Sequence, residues 1–369
     1  MTRAAVLAAP GQRLVVHDDL EMEAPRAGEV AVRMVAAGVC HSDLSARQGD
    51  LLVPTPVVLG HEGAGVVVAA GAGVDTPRIG DHVVVGWLAR CGRCFWCAHG
   101  QAHLCDRATT ALAAGSMPDG TTRLRRRGAA VHQMSGAGTF ADAAVVPAAA
   151  TVAVPRDLAF EVAALLGCAV ATGVGAALRT ARVEPGSTAV VVGCGGVGLN
   201  VVQGARLAGA GRIVAVDTRR PALALAEAMG ATDVVDAGAG DPVAAVMALT
   251  GQRGADVAFE VVGRQATIDQ ALVMARRGGQ VVLVGIPTMD ATVALPAFLG
   301  LVLSARTVTG CWSGSWTVAD AVPELVAHHR AGRLRLAELV TATVGLEEVD
   351  AALDRLPHGA GGRTVVRFS

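Results

Sequence analysis

The sequence predicts a two-domain α/β protein, a β-rich domain followed by a doubly wound parallel sheet. Three observations predict it. The chain has 369 residues, more than one ordinary core accommodates. Residues 1–150 read as short β-like runs punctuated by Gly and Pro, such as EVAVRMVAAGV (29–39), GAGVVVAAG (63–71) and DHVVVGWL (81–88). From about residue 185 apolar strands alternate with helix-like stretches, the pattern of strands buried on both faces.

The second domain starts with STAVVVGCGGVGLNVVQGARLAGAGRIVAVD (187–217), which reads as strand, glycine turn, helix and strand. The alternation repeats with a strand at 255–263, a helix at 266–277 and a strand at 279–287. The expected organisation is a first domain over 1–169, a second over 170–311, and a return of 312–369 to the first, ending in the strand RTVVRFS.

Composition excludes several function classes. The chain carries 31 basic and 32 acidic residues without large blocks, which speaks against a nucleic-acid partner. The one basic cluster, RLRRR at 123–127, reads as a solvated loop, with an anion contact as the alternative. The N-terminus lacks an apolar signal region, and the apolar run 162–178 is short of a membrane span and broken by glycines. A cytoplasmic protein without a membrane partner is expected, and there eight cysteines suggest metal ligands over disulfides. The chain contains no lysine and no tyrosine, so lysine Schiff bases, lysine-anchored pyridoxal phosphate and a tyrosine acid or base are all impossible. An oxidoreductase built from this set must polarise oxygen by other means, and a metal is the obvious candidate.

GCGGVG (193–198) fits G-x-G-x-x-G between a strand and a helix. Gly193 suits the tight turn, Gly195 close approach of a pyrophosphate, and Gly198 helix–strand packing, with Gly196 and Val197 opening the helix. The helix N-terminus favours phosphate anions. Asp217, nineteen residues after Gly198, is placed to bind a ribose diol and to repel a 2′-phosphate, which favours NAD over NADP. Arg219 and Arg220 qualify that preference, since guanidinium groups accept a phosphate. This half of the chain therefore reads as a Rossmann domain.

Two thiol-rich groups compete for a metal. Cys40, His61 and Cys168 offer two thiolates and an imidazole with a fourth position open, the donor set of a catalytic zinc that takes a substrate oxygen. Asp43 would orient His61, and Glu62 would lie behind the metal. CGRCFWCAHGQAHLC (91–105) offers Cys91, Cys94, Cys97 and Cys105, enough to close an all-cysteine structural site, with His99 and His103 as possible substitutes.

With these motifs, the chain resembles the zinc-dependent medium-chain alcohol dehydrogenases over nearly its full length. The carrying residues are Cys40-His41-Ser42-Asp43, Gly60-His61-Glu62, the cysteine loop, GTFADAAVVP (138–147), LLGCAVATGVGA (165–176), the glycine turn and Gly362-Arg363-Thr364. The step of twenty-one residues from Cys40 to His61 and the x2-x2-x7 cysteine spacing match the family. The resemblance implies a GroES-like catalytic domain beside the Rossmann domain, one catalytic and one structural zinc per chain, and NAD. Ser42 resembles the hydroxyl that takes the alcohol proton, and His41 and Arg363 resemble pyrophosphate contacts. Trp87, Met134, Trp312 and Leu51 fall where a substrate cleft would be lined, and Ile286 and Trp312 near the nicotinamide.

The sequence also departs from the family. Ser45 stands where a relay histidine is common, so proton exit would use Ser45 and water or another route. Leu51 and Thr109 stand where the glutathione-dependent formaldehyde branch, class III, carries an acidic residue and an arginine, which speaks against glutathione conjugates but not against mycothiol adducts. The 106–139 segment is similar to actinobacterial members, to the nicotinoprotein branch that retains its NAD(H) and uses an external acceptor, and to dimeric members. The expectation is a homodimeric, NAD-linked oxidoreductase that interconverts an alcohol and its aldehyde or ketone. Its two tryptophans favour flat apolar or aromatic substrates. A non-catalytic zinc and dinucleotide sensor is the competing class, disfavoured because a scaffold has no need of an open metal position.

Overall fold

The computed structural model describes residues 1–359 and 361–369. Residues 1–168, 316–359 and 363–369 form one compact unit, and residues 169–315 with Gly361 and Gly362 form a second.

The first unit combines a closed barrel with a seven-stranded sheet. The barrel strands are Thr2–Leu7, Val15–Met22, Leu124–Arg126, Ala129–Gln133 and Val57–Val58. The sheet runs Thr151–Ala153, His82–Val85, Glu62–Ala70, Glu29–Val39, Arg363–Arg367, Val340–Val344, with Ala143–Pro147 also paired to Glu29–Val39. Glu29–Val39 is long enough to serve two cores. Val30, Val32 and Met34 pack with Val67, Val83 and Val85, whereas Ala37 and Val39 join the barrel core. A register irregularity between Met34 and Ala36 makes the swap, because one extra residue turns every later side chain to the other face. The final strand, Arg363–Arg367, runs antiparallel to this one, placing Val365 opposite Gly38.

The second unit is a Rossmann-type sheet of six parallel strands, ordered Asp233–Asp236, Arg212–Asp217, Thr188–Val192, Ala255–Glu260, Ala275–Leu283, Thr307–Gly310. The order reverses between Thr188–Val192 and Ala255–Glu260, the switch point where such sheets bind ligands. Small residues let helices approach closely here. A Cβ on Gly173 of the helix Ala169–Gly175 would lie 2.4 Å from the Val197 carbonyl of the helix Gly196–Leu207. The apolar run 162–178 is divided between Phe160–Leu166 and Ala169–Gly175, and no single described helix is long and apolar enough to cross a membrane.

Two expectations are corrected. The helix expected to reach 277 ends at Met274, and its strand starts at Ala275, where Arg276 Nε is held 2.6 Å from Asp256 Oδ1 and Ala275 pairs with Ala255. The basic cluster is not a solvated loop. Leu124–Arg126 is a barrel strand and Arg123 is fully buried, its Nε 2.9 Å from Glu29 Oε2 and its Nη2 2.7 Å from Asp119 Oδ2. Arg126 pairs with Asp19 at 2.6 Å, so internal carboxylates occupy the cluster and the anion-contact alternative loses its free cations. Removing one partner of a buried pair strands the other charge, so Arg123→Ala is expected to lower unfolding free energy by about 3–5 kcal/mol in urea denaturation. Arg127, 79% exposed in its side chain, is expected to be replaceable by alanine without a measurable change.

Candidate active site

Cys40 sits where the central strand Glu29–Val39 hands over to the helix His41–Gln48, whose N-cap it is. Asp43, the third residue of that helix and fully buried, organises the neighbourhood. Its Oδ2 accepts the Cys40 N–H at 2.9 Å, while Oδ1 accepts the Gly60 N–H at 3.1 Å and lies 3.2 Å from His61 Nδ1. One carboxylate thereby fixes two chain segments seventeen residues or more apart and leaves His61 Nε2 as the ring nitrogen for a metal.

Two glycines open the space. Gly60 takes φ +91°, and a Cβ there would lie 2.5 Å from Thr139 Oγ1. Gly38 faces Glu62 across the sheet, and its Cβ would lie 2.2 Å from Glu62 Oε2. Glu62 is fully buried. Its Oε1 accepts from Arg363 Nη2 at 3.2 Å, and Arg363 Nη2 also donates to Cys40 Sγ at 3.6 Å. Glu62 Oε2 has no partner among the described residues. Cys168 follows the buried helix Phe160–Leu166. At the intervening Gly167 a Cβ would lie 2.6 Å from the Val85 carbonyl, so the turn can press against the sheet.

Ligand atoms of Cys40, His61, Glu62 and Cys168 all lie within 4.8 Å of one another. Their electrostatics are crowded. The Cys168 thiol hydrogen bond holds Cys40 well below the ordinary thiol range, and that same contact, with burial, holds Cys168 well above it. Burial opposes charge on His61, but the Asp43 carboxylate and the Cys40 sulfur together raise the imidazole. Burial also pushes Glu62 up to about 7 against the pull of Arg363. Two thiols, an imidazole and an orphaned carboxylate oxygen converging in a buried site are the donor chemistry of a divalent zinc. Ser42 Oγ accepts from Cys40 Sγ at 3.7 Å, which puts the hydroxyl beside this cluster.

The second quartet is closed. Cys91, Cys94, Cys97 and Cys105 converge within 4.8 Å, and amides point at the sulfurs: Cys91 N–H to Cys105 Sγ at 3.3 Å, Cys94 N–H to Cys91 Sγ at 3.4 Å. Amide donation from Arg93 and Cys94 draws Cys91 down to about 6, while burial pushes Cys97 up to about 12. His99 is turned away, its Nδ1 2.7 Å from the Phe95 carbonyl, so four thiols fit a structural zinc without it. Trp87, Leu88 and Ala108 pack with Cys40, Cys105 and Cys168 in one apolar cluster linking both groups.

In the second unit each glycine of the turn meets a distinct demand. Gly193 takes φ +96°, and a Cβ on Gly198 would lie 1.8 Å from the Gly193 carbonyl. A Cβ on Gly195 would meet nothing, leaving open space in front of the N-terminus of Gly196–Leu207. Asp217 ends the next strand. Its Oδ2 accepts the Cys194 N–H at 2.7 Å, and its Oδ1 accepts from Arg219 N at 2.9 Å and Arg219 Nε at 3.0 Å. The Arg219 hydrogen bond keeps its carboxyl below the usual range despite burial. Arg220 pairs instead with Asp236.

The first unit carries Cys40, His61, Cys168 and the quartet, and the second carries the glycine turn and Asp217. Both halves match family models: an alcohol dehydrogenase GroES-like domain over residues 26–156 and a zinc-binding dehydrogenase over 196–328. An S-(hydroxymethyl)glutathione dehydrogenase of Escherichia coli O1:K1 is 37% identical over 370 residues, all of both chains. The chain belongs to the zinc-dependent medium-chain alcohol dehydrogenase family. A structure of an alcohol dehydrogenase zinc-binding domain protein from Burkholderia ambifaria is 35% identical with TM-score 0.93, over 100% of this chain and 99% of that one. Benzyl alcohol dehydrogenase from Acinetobacter calcoaceticus is 31% identical with the same TM-score, 0.93, over 100% and 99%. The dehydrogenase thus has residues fitted to a catalytic zinc, a structural zinc and NAD.

Other sequence-derived site residues are placed less simply. Arg363, expected at a pyrophosphate, is buried against Glu62 and Cys40, because the final strand threads beside Glu29–Val39 and Glu62 Oε1 accepts from the guanidinium. His41, expected with it, is exposed at the start of its helix. Met134 is a barrel-core residue, packed with Leu59, Val131 and Phe140, and Leu51 lies against the same core, so neither sits in the apolar cluster around Cys40 and Cys168. Ile286 and Trp312 belong to the second unit and are exposed. Sequence reasoning missed Gly38 and Thr139. The glycine just before the Cys40 motif and the quoted stretch GTFADAAVVP, which holds Thr139, were the usable signals.

Proposed function

We propose that this dehydrogenase oxidises flat apolar alcohols, of which benzylic alcohols are the type, with exchangeable NAD as the hydride acceptor. The reading is carried by Trp87, which shares one apolar cluster with Leu88, Ala108, Cys40 and Cys168. A ring-shaped apolar wall beside the metal ligands favours an aromatic substrate over a small or charged one. Thr109 supports it, because its hydroxyl is spent on the Cys105 carbonyl at 3.1 Å and offers a carboxylate no cation. The likeness to a benzyl alcohol dehydrogenase points the same way, although the likeness to S-(hydroxymethyl)glutathione dehydrogenases favours a glutathione adduct.

When bound, zinc supplies Lewis acidity toward the alcohol oxygen and NAD the hydride-accepting carbon. Cys40, His61 and Cys168 would hold that zinc, and Asp43 holds His61 in the tautomer that leaves Nε2 free. Ser42 takes the alcohol proton on Oγ. With Ser45 in place of a histidine, the proton leaves through Ser45 or water. Gly193, Gly195, Gly196, Val197 and Gly198 bind the pyrophosphate, and Asp217 takes the ribose diol. Because Asp217 already neutralises Arg219, a 2′-phosphate would meet a carboxylate without a free guanidinium, so NAD is preferred over NADP.

Initial rates for benzyl alcohol, ethanol and S-(hydroxymethyl)glutathione with NAD, NADP and an artificial acceptor test this. Benzyl alcohol with NAD should exceed ethanol in kcat/KM by about tenfold or more, a 1.4 kcal/mol preference. Preference for ethanol or for the glutathione adduct overturns it. Activity confined to the artificial acceptor, with NAD(H) released on denaturation, assigns the nicotinoprotein alternative.

The protein also acts as a homodimer in this reading. The uncharged run 291–305 exposes Phe298, Leu299, Val302 and Leu303, each more than half accessible, beside the edge strand Thr307–Gly310. An apolar patch next to a strand edge suits a second copy paired across a twofold axis. Val302→Asp is expected to give a monomer by light scattering, and a wild-type monomer would refute the dimer.

A further inference from the structure

The glycine turn lies at the carboxyl end of Thr188–Val192, and the amino end of the same sheet gathers arginines. Arg253 precedes the strand Ala255–Glu260, Arg276 and Arg277 open the strand Ala275–Leu283, and Arg306 precedes Thr307–Gly310. These three strands are neighbours, so four guanidiniums share one edge of the sheet.

One carboxylate faces them. Asp256 Oδ1 accepts from Arg276 Nε at 2.6 Å, and its Oδ2 lies 3.9 Å from Arg253 Nη2. That second oxygen already accepts the Thr188 N–H at 2.7 Å. Among the described residues Arg277 and Arg306 pair with no carboxylate, and main-chain carbonyls hold them instead. Arg277 Nη2 donates to the Leu303 carbonyl at 3.4 Å, and Arg306 Nε to that of Ala275 at 2.9 Å. A carbonyl orients a guanidinium without cancelling its charge. Burial and the neighbouring Arg277 charge hold Arg306 below its ordinary range, as expected where positive charge is in excess.

Rigid backbone sets these side chains in place. Gly254 takes φ +85°, and a Cβ there would lie 2.8 Å from the Met274 carbonyl oxygen and 2.9 Å from Arg276 N. The 250–254 loop and the 275–279 turn therefore press directly on each other. Gln252 is held at φ +63°, a left-handed conformation that strains an L residue, with its N–H on the Met247 carbonyl at 2.7 Å. Gln252, Arg253, Asp256, Arg276 and Arg277 line one open cleft of about 530 Å³.

Folding gains nothing from gathering like charges or from straining Gln252 beside them. Arginine forks around a cleft match the oxygens of phosphate, two N–H groups at a time. The lining holds no aromatic side chain, so nothing there would stack on a base. Four guanidiniums against one carboxylate leave three positive charges, more than one phosphate group neutralises. We propose that the cleft binds a small anion carrying two phosphoryl groups, at a site separate from that of the cofactor's pyrophosphate.

Isothermal titration with inorganic pyrophosphate tests it, on the full chain saturated with NADH so that the glycine turn is occupied. One pyrophosphate per chain should bind, about tenfold tighter or more than inorganic phosphate or sulfate, and binding should weaken as salt rises. Arg253→Ala and Arg277→Ala should each weaken it by about tenfold or more, the worth of one charge-assisted hydrogen bond, with Tm and NADH affinity unchanged. A wild type that takes up no pyrophosphate, or variants that bind it as well as the wild type, overturns the proposal. Sulfate binding as tightly as pyrophosphate also overturns it, by showing a diffuse positive field without a site. A duplex DNA oligonucleotide that binds tighter through the same arginines overturns the small-anion assignment. If the wild type binds no NADH, the NAD reading fails by itself, and the two arginine variants still locate the pyrophosphate.

Discussion

Cys40→Ala should retain the fold, bind one zinc per chain where the wild type binds two, and lose activity by about 10³-fold or more, several kcal/mol of transition-state stabilisation. The size follows from how the site is built. Cys40, His61 and Cys168 supply three donors and no described residue besides Glu62 converges with them, so deleting one leaves no ordinary set for zinc. The fold should survive because the cluster stands in a packed sheet and barrel. Metal analysis and thermal unfolding of the same sample decide it. A fully active Cys40→Ala protein would refute the assignment. The contrast is Cys97→Ala. Neither the helix Phe95–Ala98 nor the turn Ala102–Leu104 has a buried residue, so the 91–105 lobe has little core and depends on its metal for order. That variant should lose the other zinc and lower Tm by several degrees.

What was legible in the sequence was local. Cys91, Cys94, Cys97 and Cys105 lie within one loop, and the glycine turn lies within one strand–turn–helix, so spacing alone carries their geometry. Cys40, His61 and Cys168 were legible through a family pattern, and Asp43 binding His61 lies within the same short stretch of chain. Long-range pairings were not legible. Arg123 looked like a surface charge because its partner Glu29 is 94 residues away. The contact of Arg363 with Glu62, 301 residues distant, is of the same kind, since the final strand was expected to return to the first domain but its pairing with Glu29–Val39 was not legible. That Met134 packs in the barrel core was not legible either.

Gly195 and Gly198 should separate two roles that the motif joins. At Gly198 a Cβ would stand 1.8 Å from the Gly193 carbonyl, a contact only a backbone shift can relieve. Gly198→Ala must therefore push the helix Gly196–Leu207 away from the strand Thr188–Val192, and overpacking of this kind costs about 1–3 kcal/mol in stability. It should also raise the Kd for NADH by about 100-fold, roughly 2.7 kcal/mol, because the helix N-terminus that faces the pyrophosphate moves with it. At Gly195 a Cβ would meet nothing in the protein. Its φ is −76°, which any residue adopts, so Gly195→Ala should leave Tm unchanged. Only a ligand can object to that methyl. NADH and ADP-ribose should both weaken by about tenfold or more, because the close backbone approach is to the pyrophosphate they share. A Gly195→Ala protein that binds both ligands normally would show that the pyrophosphate does not approach there, and the turn would then be a packing device without a cofactor role.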